Sequence, residues 1–198
     1  CSLQHMDEVS QLQHKENVLK EQLAHFGKIS PLVWLPPMIS STSLGYRSKA
    51  RLGVRYDQKQ KKLSLGFRQK NQKTIIEIPQ CVVLDARISE RFDAIRDVLG
   101  RLSHPDTVSH IEVAMGDLDV ALLFRHTRAL TEQDYTQLEG FAEAEDFQVY
   151  LQGGGLDSVQ KFWPKNSMER LSYSLPLGEN SEDGNVALSF HPKDFTQV

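Results

Sequence analysis

Alternation of apolar and polar residues is clearest in the middle of the chain, where it predicts a β-hairpin. Residues 49–56 and 63–68 both change between apolar and polar or charged at every step, which is the period of a half-buried strand. The polar stretch 57–62 between them predicts a turn. One hairpin face is therefore apolar and the other basic. The apolar positions are Ala50, Leu52, Val54, Tyr56, Leu63, Leu65 and Phe67.

The rest of the pattern predicts an α+β fold with a mainly antiparallel sheet built of hairpins and two to three packed helices. Apolar residues at helical spacing predict helices over 5–26, from a cap at Asp85 to Leu102, and from a cap at Thr131 to Phe141. Short apolar runs predict the further strands, over 74–78, 108–115, 118–124, 147–151, 159–163, 170–175 and 186–190. We predict that residues 1–44 form an N-terminal helix and a Pro/Ser-rich connector, and that residues 45–198 form the α+β domain.

Charge is distributed unevenly along the chain. The net charge is −3, but residues 45–73 hold ten basic residues and the single acid Asp57, whereas residues 106–148 carry −8. A basic block on an acidic body produces a one-sided field that suits a polyanion such as RNA. A solvated, lysine-rich hairpin would show the same composition, and charge alone leaves both interpretations open.

Composition excludes several classes of protein. The chain has 198 residues, of which 39% are hydrophobic, and this is enough for one packed core. No apolar run reaches the length of a membrane span, and two cysteines are too few for a disulfide scaffold. No signal peptide is visible. We therefore expect a cytoplasmic monomer that makes no contact with a membrane. The chain begins with Cys1, so we also expect a piece of a longer protein.

The residues themselves show no catalytic centre. The triplet Gly153–Gly155 lacks the flanking pattern of a phosphate loop, and the histidines have no metal-ligand spacing. The basic strand face is the better candidate, because side chains two residues apart on a strand can follow a phosphate backbone. Tyr46 and Phe67 are both candidates for stacking on an unpaired base, but the alternation favours a core position for Phe67. The candidate phosphate contacts are Lys49, Arg51, Arg55 and, across the hairpin, Arg68.

Several motifs resemble RNA uracil-5-methyltransferases. They occur in the same order as in that family and extend over essentially the whole chain, and the branch that methylates 23S ribosomal RNA and holds an iron–sulfur cluster fits better than the tRNA branch. The matching segments are Cys1–His5, Gly45–Leu52, Leu65–Arg68, Ile78–Leu84, Phe124–Thr127 and Phe190–Val198.

The resemblance implies an enzyme that methylates a uridine in ribosomal RNA with S-adenosylmethionine. It assigns Cys1 and Cys81 as two of four ligands of a 4Fe-4S cluster, Phe195 to the target base and Gln197 to the methyl donor. It adds Arg47, Arg125 and His126 to the RNA-contacting set. The catalytic cysteine and base would lie beyond Val198. We therefore expect the chain to be an inactive central RNA-binding domain that holds neither cofactor by itself.

Two alternatives remain at this point. The first is a non-catalytic module in which the acidic body binds a protein partner, and the second is membership of the tRNA branch. RNA affinity at low salt would separate the first alternative from the RNA-binding hypothesis.

Overall fold

A computed structural model describes residues 3–40, 42–72, 74–177 and 184–195. The chain divides into two compact units, Cys1–Ser43 and Leu44–Val198. Among the described residues, no helix combines the length and the apolar character needed to cross a membrane.

The first unit contains the helix predicted near the N-terminus. α1 spans Glu8–Gln22, and the side chain of Asp7 caps it by accepting a hydrogen bond from the Ser10 amide at 2.9 Å. A π-helical turn, Leu23–Gly27, continues it, and Lys28 ends the turn in a left-handed conformation. No residue of α1 is buried. Val9 and Leu19 of its narrow apolar stripe are exposed, and Leu12 is half-buried.

The second unit is built on a seven-stranded sheet with the order β3-β2-β1-β4-β5-β6-β7. Only β5 and β6 pair in parallel, because α4 connects them, and the other described pairs are antiparallel. The predicted α+β class with a mainly antiparallel sheet is confirmed. The strands are β1 Lys49–Asp57, β2 Lys62–Arg68, β3 Ile75–Glu77, β4 Val108–Met115, β5 Val120–His126, β6 Gln148–Gln152, β7 Val159–Trp163, β8 Leu171–Pro176 and β9 Asn185–Phe190.

Three helices of this unit cover one face of the sheet and form the main core. They are α2 Ala86–Ser89, α3 Phe92–Arg101 and α4 Glu132–Ala144. Phe92 and Ile95 of α3 are fully buried in the same cluster as Leu52 and Leu65 of the basic hairpin. Phe67 packs against this cluster, so its predicted place in the core is confirmed.

The prediction of one continuous helix after Asp85 is wrong, because the helix is interrupted at Glu90–Arg91, between α2 and α3. The Ser89 hydroxyl accepts a hydrogen bond from the Cys81 amide at 2.8 Å and donates one to the Cys81 carbonyl at 3.1 Å. These two hydrogen bonds tie the end of α2 to the preceding loop. Ser89 before the break and Phe92 after it are both buried.

The opposite face is covered only in part, by a separate two-stranded ribbon of β8 and β9. Leu171 of β8 is fully buried there with Leu123 and Tyr150, and Phe190 of β9 packs against the same small cluster. The Tyr150 hydroxyl donates a hydrogen bond to the Gln148 amide oxygen at 3.2 Å. The cluster beneath the described part of the ribbon contains no residue of β1 or β2.

A tight turn between β4 and β5 anchors the ribbon. The Asp117 amide donates to the Ser172 carbonyl at 2.9 Å, and the Ser174 amide donates to the Asp117 carboxylate at 2.7 Å. The Gly116 amide also bonds the Asp119 carbonyl. Because residues 116–119 form this turn, β5 begins at Val120, two residues later than predicted.

Candidate nucleic-acid interface

Five of the predicted RNA-contacting side chains project from one face of the sheet. Residues directly opposite each other on paired strands share a face, as do residues two apart on one strand. Arg51 pairs with Glu112, and Gly53 pairs with both Gly66 and His110. By the same rule, the pairing of β2 with β1 adds Arg68, and the pairing of β5 with β4 adds Arg125. We call this surface the basic face: Lys49, Arg51 and Arg55 of β1, Arg68 of β2 and Arg125 of β5.

Arg55 and Arg68 are the open cations of the basic face. Both side chains are exposed, and neither forms an ion pair with a described residue. Arg55 of β1 lies opposite Ser64 of β2, and Arg68 is four residues beyond Ser64 in β2. At about 3.4 Å per residue the two positions are roughly 14 Å apart. They can therefore bind separate phosphates.

A shallow apolar surface separates these two arginines. Gly53 and Gly66 face each other there and contribute no side chains. A Cβ at Gly53 would lie 3.2 Å from Ile75 Cδ1 and 3.5 Å from Arg68 Cγ, so Ile75 and the Arg68 stem cover the gap. A ribose or base edge held between two bound phosphates would contact this surface.

Arg51 is in a different environment because it is ion-paired. Its Nε–H donates to Glu112 Oε1 at 3.0 Å, and its Nη2–H donates to the same oxygen. Glu112 is only 6% exposed, and His110 Nε2 lies 3.7 Å from that oxygen. Burial by itself would raise the pKa of Glu112, but His110 and Arg51 outweigh it and hold the pKa below its ordinary value. Glu112 is therefore an anion at neutral pH.

Lys49 lies at the same end of β1. Burial lowers the pKa of its ammonium group, and Arg51 lowers it further, while Glu112 and Asp194 act in the opposite direction. Lys49 is half-buried rather than extended into solvent. It contributes charge to the basic face more than it contributes an exposed contact.

A second ion pair reduces the charge of the hairpin near β3. Lys62 Nζ lies 3.0 Å from Glu77 Oε1, and the Ser64 hydroxyl donates to the same oxygen at 2.7 Å. Both contacts lower the pKa of Glu77, and the hydrogen bond from Ser64 has the larger effect. The formal charge of the basic segment thus overstates the positive charge that is available to RNA.

The two candidates at the end of β5 are separated by the pleat of the strand. The Arg125 guanidinium lies on the basic face and donates to the Gln152 carbonyl at 3.2 Å, and no carboxylate of a described residue forms an ion pair with it. His126 points to the other face, opposite Val108, and its Nδ1–H bonds the Arg128 carbonyl at 2.8 Å. The structure therefore does not bring His126 to the basic face.

Tyr46 and Arg47 precede β1 on a segment that is held in place by backbone hydrogen bonds. The Gly45 amide donates to Val82 at 2.9 Å, and the Arg47 amide donates to Val83 at 2.8 Å. Tyr46 is 55% exposed, and Arg47 is also exposed. An exposed ring on a fixed backbone keeps Tyr46 a candidate for base stacking.

The predicted iron–sulfur site is not formed by the described residues. Cys81 is buried, and its amide is bonded to Ser89, but Cys1 lies outside the described residues. Within residues 3–40, 42–72, 74–177 and 184–195, no group of three or more His, Cys, Asp or Glu side chains is arranged to hold a metal ion. Cys81 is thus the one predicted ligand among the described residues, and the cluster, which needs four, stays a prediction.

The C-terminal candidates lie at the limit of the description. Gln197 is outside the described residues, and only the backbone of Phe195 is described, in the short 3-10 turn Pro192–Phe195. His191 anchors this turn, since its ring lies 5.4 Å from the Tyr150 ring and its amide donates to Asp194 at 2.7 Å. Asp194 in this turn acts to raise the pKa of Lys49, against the effect of burial.

Glu112 and His110 are the site residues that the sequence did not reveal. The alternation Ile111–Glu112–Val113 carries a weak signal, because it places Glu112 on the face opposite the core. Its pairing with Arg51, 61 residues earlier in the chain, follows only from the strand register.

Comparison with known proteins gives relatives for the whole chain. A Nitrosococcus oceani protein named 23S rRNA (uracil(1939)-C(5))-methyltransferase RlmD is 41% identical over 198 residues, which is 100% of this chain and 42% of that protein. Proteins of the same name are 41% identical in Alcanivorax borkumensis and 39% identical in Legionella pneumophila strain Lens, each with 43% of the relative covered. No protein-family model matches the chain.

A solved structure shares the fold. It is that of the Pyrococcus abyssi tRNA (uracil-54, C5)-methyltransferase in complex with S-adenosyl-L-homocysteine, with a TM-score of 0.66 over 97% of this chain and 44% of that chain, at 18% identity. At that identity the likeness supports the fold alone. The identity to the curated relatives is about 40%, and it covers every motif that carried the resemblance. The chain is thus homologous over its whole length to one region of the 23S rRNA uracil-5-methyltransferases, and it spans about 42% of the length of those relatives.

Proposed function

We propose that the chain is the RNA-contacting region of an enzyme that methylates C5 of a uridine in 23S ribosomal RNA with S-adenosylmethionine as the methyl donor. The observation that carries the proposal is the basic face, where Arg55, Arg68 and Arg125 project from one open sheet surface without a described carboxylate partner. Homology to 23S rRNA methyltransferases supports the choice of RNA as the polyanion.

The division of the sheet supports this role. Helices pack on one face, and the described part of the ribbon packs over Ala114, Leu123 and Tyr150 on the other, so we assign the strand of RNA to the β1–β2 side. Arginines on this side can hold phosphates bidentately, and Tyr46 lies on the adjacent fixed segment. The methyl transfer itself we assign to parts of the relatives outside the matched region.

The test is the salt dependence of RNA binding by the 198-residue chain. A labelled stem–loop of 23S rRNA with an unpaired uridine is titrated at several salt concentrations. Arg55→Ala and Arg68→Ala should each weaken binding and reduce the slope of log K against log salt by about one, because each removes one phosphate contact. Arg101→Ala is the matched control, since Arg101 is an exposed arginine at the end of α3, in the helical layer.

Three results would contradict the proposal. They are failure to bind RNA at low salt, an equal loss of slope in the Arg101→Ala control, and tighter binding of a tRNA stem–loop than of the 23S stem–loop. The last result would favour the tRNA branch. Capture of a protein partner by a chain without RNA affinity would favour the protein-interaction module.

A further inference from the structure

We infer that Glu112 limits how many RNA phosphates the basic face binds, because it holds Arg51 in an ion pair. The inference rests on the proposed function. It concerns the Arg51–Glu112 ion pair, whereas the neighbouring Arg55 and Arg68 form no ion pair with a described residue.

The geometry of the pair supports a fixed arginine. Register places Arg51 directly opposite Glu112 on the adjacent strand, and two N–H groups of its guanidinium donate to one carboxylate oxygen. The Glu112 side chain is 7% exposed and the Arg51 side chain 45% exposed. The carboxylate therefore lies beneath the guanidinium and anchors it at the surface of the sheet.

The surroundings keep the carboxylate charged. His110 lies 3.7 Å from Glu112 Oε1, and the Glu112 charge also reaches Lys49. One full negative charge is thus placed inside the basic face. A phosphate that approaches Arg51 would compete with this carboxylate for the same donors and would be repelled by it.

The consequence concerns non-specific binding. Phosphate contacts supply most of the affinity for RNA of any sequence, and base and shape contacts supply the discrimination. A face that withholds one arginine from phosphates loses part of the affinity that RNA of any sequence shares. Glu112 therefore increases the fraction of the binding free energy that base and shape contacts supply.

The experiment compares Glu112→Gln, Arg51→Met and the double variant, in the full chain, on the 23S stem–loop and on poly(A). Glu112→Gln should steepen the salt slope by about one, so that a fourfold rise in salt costs poly(A) binding about threefold more than in the unmodified chain. The double variant should return to the original slope. Glu145→Gln is the matched control, since that carboxylate pairs with Arg91 in the helical layer.

Arg51→Met alone decides the question if Glu112→Gln does not fold. The inference requires a slope close to that of the unmodified chain, in contrast to the loss in Arg55→Met. A loss in Arg51→Met equal to that in Arg55→Met, or an unchanged slope in folded Glu112→Gln, would overturn it. If the unmodified chain binds neither RNA, the proposed function itself fails, which is a separate result.

Discussion

Substitution of Gly116 by alanine tests how the ribbon is attached to the sheet. A Cβ at this position would lie 3.1 Å from the Ser172 backbone nitrogen and far inside contact distance of the Ser172 carbonyl oxygen. Both are backbone atoms of β8, so a side-chain rotation cannot relieve the clash. The strand must move away from the β4–β5 turn, or the turn must distort.

The cost follows from what the movement breaks. The Asp117–Ser172 and Ser174–Asp117 hydrogen bonds would be lost, at about 1 kcal/mol each. Partial exposure of the fully buried Leu171 would add up to about 2 kcal/mol. We therefore expect the ribbon to open more easily by about 2 to 4 kcal/mol, which corresponds to at least roughly 30-fold faster exchange of the Asp117 and Ser174 amides.

Hydrogen exchange followed by NMR measures this directly. Gly155→Ala is the control, because nothing lies within 4 Å of a Cβ at that loop position and its backbone suits any residue. Amides in β4 and β5 outside the turn should keep their protection in Gly116→Ala. Unchanged exchange of the Asp117 and Ser174 amides in Gly116→Ala would refute the close approach of β8 to the turn.

Two further predictions concern the helical layer. Asp134 accepts hydrogen bonds from the Ser103 amide at 2.6 Å and the Thr131 amide at 2.8 Å, and these outweigh burial and hold its pKa below 3.8. Asp134→Asn should therefore reduce the free energy of unfolding at pH 7 by about 1.5–3 kcal/mol, measured with denaturant. Because the folded pKa is lowered, this difference should shrink as the pH falls below about 4, and a constant difference would contradict the assignment. Gly140→Ala in α4, where a Cβ meets no atom within 4 Å, should stabilise the chain by about 0.5–1 kcal/mol, and a lower melting temperature would contradict this.

Local pattern was sufficient to predict most of the strands. β4 and β7 begin and end where the alternation and the flanking turn residues place them, and α4 starts at the predicted Thr131 cap. These elements carry their signals within a few residues. The break between α2 and α3 was missed because the apolar spacing of Ile88, Phe92 and Ile95 continues across it. The contact of Ser89 with the backbone of Cys81, next to the break, is not visible in that spacing.

Local pattern predicted which arginines share the face of the candidate site, but not which of them forms an ion pair. Strand alternation correctly groups Arg51 and Arg55 on one face, opposite Leu52 and Val54. It cannot show that Arg51 faces an acid while Arg55 faces Ser64. That difference depends on which residues of two distant strands are paired.

The Arg51–Glu112 pair also bears on the register of the sheet. Side chains repeat their face every two residues, so a slip of β1 by two residues against β4 would keep every apolar residue on the core face. Such a slip would place Arg51 opposite His110 or Ala114 instead of Glu112. The slip that places Arg51 opposite Ala114 would place Gly53 opposite Glu112 and leave the buried carboxylate without a cation across the strand pair, whereas the other slip would offer it Lys49. Opposite charges directly across a strand pair contribute about 0.2–1 kcal/mol, and a buried carboxylate without a partner costs more. The ion pair that withholds Arg51 from phosphates therefore also favours the observed register over the slip that faces Glu112 with Gly53.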